Sequence, residues 1–163
     1  MATPKKSVRQ NAGAETAGET QDFVTMTIAG QLFGIPVLTV QDILGQQKIT
    51  RIPLAPPEVA GSLNLRGRIV TAIDVRLRLG LTPRAAGEQA MSVVVDHRGE
   101  SYSLLVDAVG EVLSLKSSDY ERNPPTLDAR WRDFSDGIYR LNGQLLVVLD
   151  VAQLLQIGRA EAA

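Results

Sequence analysis

From Phe23 onward the chain alternates apolar and polar residues in short runs separated by glycine-bearing turns, the period-two pattern of half-buried strands. FVTMTIAG follows this rule, Ala29-Gly30 punctuates it, and Leu32 to Val37 resumes, which predicts a hairpin. Pro36 cannot donate to a ladder, so it belongs at an edge, a bulge or a strand end. Val37, Val40, Ile43 and Leu44 suit either a bulged strand or one helical turn. Ile49 to Leu54 reads as a short strand, which Ala55-Pro56-Pro57-Glu58 breaks. A proline there can open a helical turn through Val59 and Ala60. Leu63 to Leu65 and Ile69 to Ile73 flank Arg66-Gly67 as a second hairpin, with Gly67 at positive φ. DVRLRLG then leaves the sheet as a turn or short helix ended by Gly80, and polar Thr82 to Gln89 is a link. MSVVVDHRGESYSLLVDAV predicts a third hairpin, with Glu111 to Leu115 continuing its strand. Lys116 to Asp136 is a long polar connection whose Trp131 and Phe134 fold back as a lid on the core. Ile138 to Leu149 is the last hairpin, and Val151, Leu154, Leu155 and Ile157 have the spacing of a terminal helix.

The pattern occurs twice. GSLNLRGRIVTAIDV, from Gly61 to Val75, aligns with GIYRLNGQLLVVLDV, from Gly137 to Val151, matching Leu65 with Leu141, Gly67 with Gly143 and Asp74 with Asp150. Upstream, FGIPVLTVQDIL from Phe33 resembles YSLLVDAVGEVL from Tyr102. Two copies are too few for a solenoid, so the expected product is an all-β pair of pseudo-symmetric five-stranded barrels with short helical turns and a short C-terminal helix. The linear division is a first barrel over residues 22–84 and a second over 85–157. Residues 1–21 form a tail too poor in large apolar side chains to offset its ordering entropy, and 158–163 form a second tail.

Composition narrows the chemistry. The 163 residues are 44% hydrophobic, 21% charged and 4% aromatic, with net charge -1 and no cysteine. An overall basic field for nucleic acid, base-stacking platforms, disulfides and zinc-thiolate sites are therefore not expected. No apolar run reaches membrane-span length, and no apolar stretch follows the N-terminal lysines as in a secretory signal, so a cytoplasmic protein is expected. His97, the single histidine, sits in a predicted turn and reads as solvated. Phosphate-binding and nucleophile-elbow motifs are absent. Asp74 and Asp150 occupy equivalent strand ends, so they read as caps of the turns that follow rather than as a catalytic pair. No catalytic residue, metal or cofactor is assigned.

A duplicated scaffold shares what folding needs, so function is sought where the copies differ. Arg66 precedes the turn glycine where copy two has Asn142, which tolerates left-handed backbone more cheaply. Arg66 is either a solvated turn residue or, since its fork suits a carboxylate on the same or a neighbouring molecule, one half of an ion pair for which Asp42 is a candidate partner. The aliphatic run Ile35, Val37, Leu38, Val40, Ile43, Leu44, Ile49 and Ile52 exceeds what strict alternation places inside a small barrel. It is either all core or partly an exposed docking strip beside Asp42.

These blocks resemble CheW-type chemotaxis coupling proteins: ITRIP through GSLNLRGRIVTAIDVRLRLGL, with FGIPVLTVQDIL, VDAVGEVLSL and GIYRLNGQLLVVLDVAQLL in the same order, covering about residues 22 to 157. The resemblance implies two SH3-like barrels sharing a core, with the first strand able to cross between them. It implies a non-catalytic adaptor that bridges the cytoplasmic tips of methyl-accepting chemoreceptors to the histidine kinase CheA, whose regulatory domain is CheW-like, in membrane-associated arrays that also allow contacts between CheW copies. By resemblance Val40, Asp42, Ile43 and Arg66 meet the kinase; Asp42 is one methylene shorter than the family's usual glutamate. A groove between barrels lined by Leu63, Asn64 and Leu65 and by Val94, Val106 and Val109 receives the helical receptor tip. The alternatives are the same adaptor in a non-motility chemosensory pathway serving pili or development, a nucleic-acid-binding tandem barrel, which the near-neutral charge disfavours, and an enzyme using Asp74 and Asp150.

Overall fold

The computed structural model describes residues 19–157. The expected tails at 1–18 and 158–163 lie outside it; residues 20 and 21, assigned to the tail, open the first strand instead. Strands β1 (Thr20–Ile28) and β2 (Gln31–Pro36) form the expected hairpin about Ala29 and Gly30, at φ +51° and +83°. Pro36 ends its strand, where no ladder donor is needed. The open alternative for Val37 to Leu44 resolves as both: a 3-10 turn, Val37–Thr39, then β3 (Val40–Leu44), bulged between Val40 and Asp42. Hairpin β4 (Val59–Leu65) and β5 (Arg68–Asp74) leads into helix α1 (Val75–Arg78). Hairpin β6 (Met91–His97) and β7 (Glu100–Val106) follows the link, then β8 (Ala108–Lys116) and a short β9 (Tyr120–Glu121). Helix α2 (Ala129–Arg132), hairpin β10 (Ser135–Leu141) and β11 (Gln144–Leu149), and helix α3 (Val151–Leu154) complete the chain.

The strands form two sheets, in the orders β3-β6-β7-β5-β4 and β8-β1-β2-β11-β10-β9. The all-β expectation holds, and the second sheet has a sixth strand, β9, hidden in the polar connection and paired through Tyr120 and Tyr139. The linear division does not describe the sheets. Hairpin β1-β2 of the first half sits among β8, β10 and β11 of the second, while hairpin β6-β7 sits among β3, β4 and β5 of the first. The seams are parallel pairings of β2 with β11 and of β7 with β5. Their registers repeat: Val147 opposes Phe33 as the aligned Thr71 opposes Tyr102. The exchange goes beyond a first strand crossing over. β8 is likewise not a continuation of β7, because Asp107 breaks the run and the chain changes sheets to pair with β1.

Two further expectations fail. Residues 49–54 make only one strand-like bridge, Thr50 to Ser62, because Pro53 and Leu54 turn the chain, with Leu54 at φ +64° and its side chain in solvent. Residues 56–59 form a turn, the Val59 amide donating to the Pro56 carbonyl at 2.9 Å, and Val59 enters β4 rather than a helix.

Alternation decides the core. Phe33, Ile35, Met26 and Ile28 from one sheet meet Val93, Val95, Leu104 and Val106 from the other in a central layer. Trp131 and Phe134 pack on that layer, Trp131 edge-on to Phe33 at 5.7 Å. Each sheet also encloses its own cluster: Leu63, Val70 and Ala72 in one, the aligned Tyr139, Leu146 and Val148 in the other. Asp74 and Asp150 do the same local job, each Oδ1 accepting from a first-turn amide, Leu77 at 3.3 Å and Gln153 at 3.1 Å. Replacing either by alanine is expected to cost about 1 kcal/mol, while asparagine, which caps equally well, leaves thermal melting nearly unchanged. Arg78 ties the halves together, donating to the Leu154 and Gln153 carbonyls at 2.9 and 3.0 Å and stacking over Phe134.

Candidate functional site

The β4-β5 turn places Arg66 at φ +53° and Gly67 at +85°. Asn64 fixes the turn by accepting from the Gly67 amide at 2.9 Å. This lifts the Arg66 side chain off the sheet toward β3, where Asp42 Oδ1 accepts from the Ile43 amide at 2.9 Å and Oδ2 meets the Arg66 guanidinium at 3.0 Å. The aspartate reaches despite its shorter stem. β3 and β4 are opposite edges of the five-stranded sheet, so the sheet is curled and this pair spans its seam. The Arg66 side chain is 73% exposed and that of Asp42 25%. An ion pair so open to water adds only about 0.2–1 kcal/mol to folding. Stability alone therefore gives little reason for an arginine in a turn where asparagine serves the other copy.

Beside the pair lies a depression of about 120 Å³ lined by Gln41, Asp42, Leu65, Arg66, Arg68, Val70, Val94 and Ser101. Val70 and Val94 are 1% exposed and form its apolar floor. Arg68 donates to Ser101 at 3.1 Å, and Ser101 donates to Gln41 at 3.3 Å. Of the four residues assigned to the kinase contact, Asp42 and Arg66 touch, and Ile43 is exposed next to them. Val40 is half-buried against the central core. The aliphatic run beside Asp42 divides in the same way: Ile35 is core, Leu38 stands almost fully in solvent, and Ile43 and Ile52 are partly exposed.

The six residues assigned to a groove between barrels do not form one. Leu63 lies in the cluster inside the five-stranded sheet and Val106 in the central layer, and both are buried. Val94 floors the depression beside Arg66, and Leu65 lines its wall. Asn64 is exposed, and Val109 lies half-buried on the other sheet, opposite Met26. Gln41, Arg68 and Ser101 were missed as site residues. A comparison of the copies had the signal for one of them, since Arg68 aligns with Gln144.

Beyond the Asp74 end of β5, Asp107 accepts from Nε and Nη2 of Arg76, from Arg84 and from the Ala29 amide at 2.8 Å. Burial pushes this carboxyl up, but the hydrogen bonds from Arg76, Ala29 and Arg84 together outweigh it and hold the group at about 2. Such a depressed, saturated carboxylate is a structural pin rather than a proton donor. Among the described residues no helix is long and apolar enough to cross a membrane.

Residues 22–158 match the family model described as CheW-like domain. The chain is 31% identical to the chemotaxis protein CheW of Klebsiella aerogenes over 144 residues, 87% of each chain. It is 26% identical to protein PilI of Pseudomonas aeruginosa over 120 residues, covering 74% of this chain and 67% of that one. Among solved structures, the crystal structure of scaffolding protein TtCheW from Thermoanaerobacter tengcongensis superposes with a TM-score of 0.75 at 28% identity, covering 84% of this chain and 93% of that one.

Proposed function

The chain belongs to the CheW-like family, and from that premise we propose that it is a non-catalytic adaptor coupling methyl-accepting chemoreceptors to the histidine kinase CheA in chemotaxis signalling. It acts in the cytoplasm, recruited to membrane-associated receptor arrays, where copies of the chain also meet one another. The observation that carries the kinase contact is the exposed Arg66–Asp42 pair at the seam of the five-stranded sheet, with Ile43 beside it. Charges of this kind set register and partner choice more than affinity. Asn64, exposed, and Val109, half-buried, remain the proposed contacts for a helical receptor tip, while Leu65 falls on the kinase side. Coupling requires that the geometry bound to receptor and kinase differ between kinase-on and kinase-off states, since an adaptor that binds both states equally shifts nothing.

The test is Arg66→Glu. It leaves the circular dichroism spectrum unchanged and weakens co-sedimentation with CheA more than tenfold, because a like-charge contact at an interface costs several kcal/mol. The double exchange Asp42→Arg with Arg66→Glu restores the internal pair without restoring kinase binding. Unchanged kinase binding by folded Arg66→Glu overturns the assignment. A second reading, the same adaptor in a non-motility chemosensory pathway, is favoured by the likeness to protein PilI alongside the proteins named for chemotaxis.

A further inference from the structure

We propose that Arg68 makes the depression beside the Asp42–Arg66 pair a socket for one aliphatic side chain of the partner with a carboxylate next to it. The proposal rests on the kinase reading above and adds what chemistry the kinase presents there.

Size and charge both support it. A space of about 120 Å³ is of the order that holds one small apolar group. Its floor is Val70 and Val94 with Leu65 on the wall, beneath a polar rim that includes Gln41 and Ser101, so an apolar group would sit at the bottom and a polar one at the mouth. The rim is cationic. Asp42 neutralises Arg66, whereas among the described residues Arg68 is in no ion pair and meets only the neutral Ser101 hydroxyl. One positive charge is therefore uncancelled at the mouth, and a guanidinium with several donors still unused is suited to a carboxylate. Gln144 stands at the aligned position of the other copy, so the turn itself does not demand an arginine. An incoming lysine or arginine meets like charge, which makes the rim a filter as well as an attractor.

The experiment titrates the full-length chain and its variants into purified CheA by calorimetry at low and moderate salt. Arg68→Gln is expected to bind about fivefold more weakly at low salt and to lose much of the salt dependence, with an unchanged melting curve. Arg68→Glu is expected to fall more than tenfold and to recover when an acidic residue on the kinase face is replaced by lysine. Ser101→Leu, which fills the socket, is expected to weaken binding more than tenfold without loss of fold. Arg68→Gln binding as tightly as the unaltered chain at low salt overturns the acidic half, and full binding by Ser101→Leu overturns the aliphatic half. If binding falls with Arg66→Glu but with neither of these, the kinase reading stands and the socket does not. If the unaltered chain fails to bind CheA, the kinase reading itself is overturned.

Discussion

Gly61→Ala is expected to destabilise the protein by about 3–5 kcal/mol, a fall in Tm of about 10 °C or more by calorimetry. Gly61 sits at φ +148°, at the bulge where β4 changes register against β5. A methyl there runs into the Thr50 carbonyl and comes within 2.8 Å of Ile49 Cγ2. Thr50 cannot step aside cheaply, because its amide and carbonyl are both bonded to Ser62 at 2.8 Å. Strained backbone and a backbone clash therefore coincide. Gly67→Ala is the control: φ is +85° but a methyl meets nothing within 4 Å, so the cost is the conformational part, about 1 kcal/mol. Equal costs at the two positions would show that the close approach of Thr50 does not matter. Gly137 shares the geometry at φ +154° but faces the Tyr120 ring, a partly exposed side chain, so its substitution should be milder than at Gly61.

Asp107→Asn is expected to cost about 2–4 kcal/mol and to flatten the acid limb of the stability curve. The substitution leaves the Arg76 and Arg84 side chains, 17% and 11% exposed, without their counter-charge. The carboxyl titrates at about 2 in the folded chain against 3.8 for the free group. A lowered carboxylate pKa gives stability that is complete above the unfolded value and drains away as pH falls from about 4 through about 2. The shift corresponds to about 2 kcal/mol. Urea denaturation between pH 2 and 6 measures it, and an acid limb in Asp107→Asn as steep as in the unaltered chain would remove Asp107 from that role.

The hairpins were legible because their turn residues are local signals. Ala29-Gly30, Arg66-Gly67 and Arg98-Gly99 each adopt the paired positive φ values that close two-residue turns. The caps were legible because the repeat put one aspartate at each strand end. The Arg66–Asp42 contact was only half legible: the copies differ in the turn residue, but a solvated arginine fits that difference as well, and it is the resemblance that tips the reading toward a charge pair. The exchange of hairpins was not: β1-β2 and β6-β7 are equivalent units, and either satisfies the same open edge in the same register. The burial of Leu63, Val94 and Val106 in the expected receptor set was hidden for a related reason. Leu63, Val94 and Val106 are aliphatic whether they face solvent or core, and only the curl of the sheets decides which.

The reciprocal hairpins have a mechanical consequence. A partner pulling on β3 or the β4-β5 turn loads a sheet whose middle strands are covalently continuous with the opposite sheet through Asp107 and β8. The two halves cannot slide apart without rupturing parallel strand pairs on both sides. The two halves are thus laced together at both parallel pairings, so a load on either sheet is shared with the other.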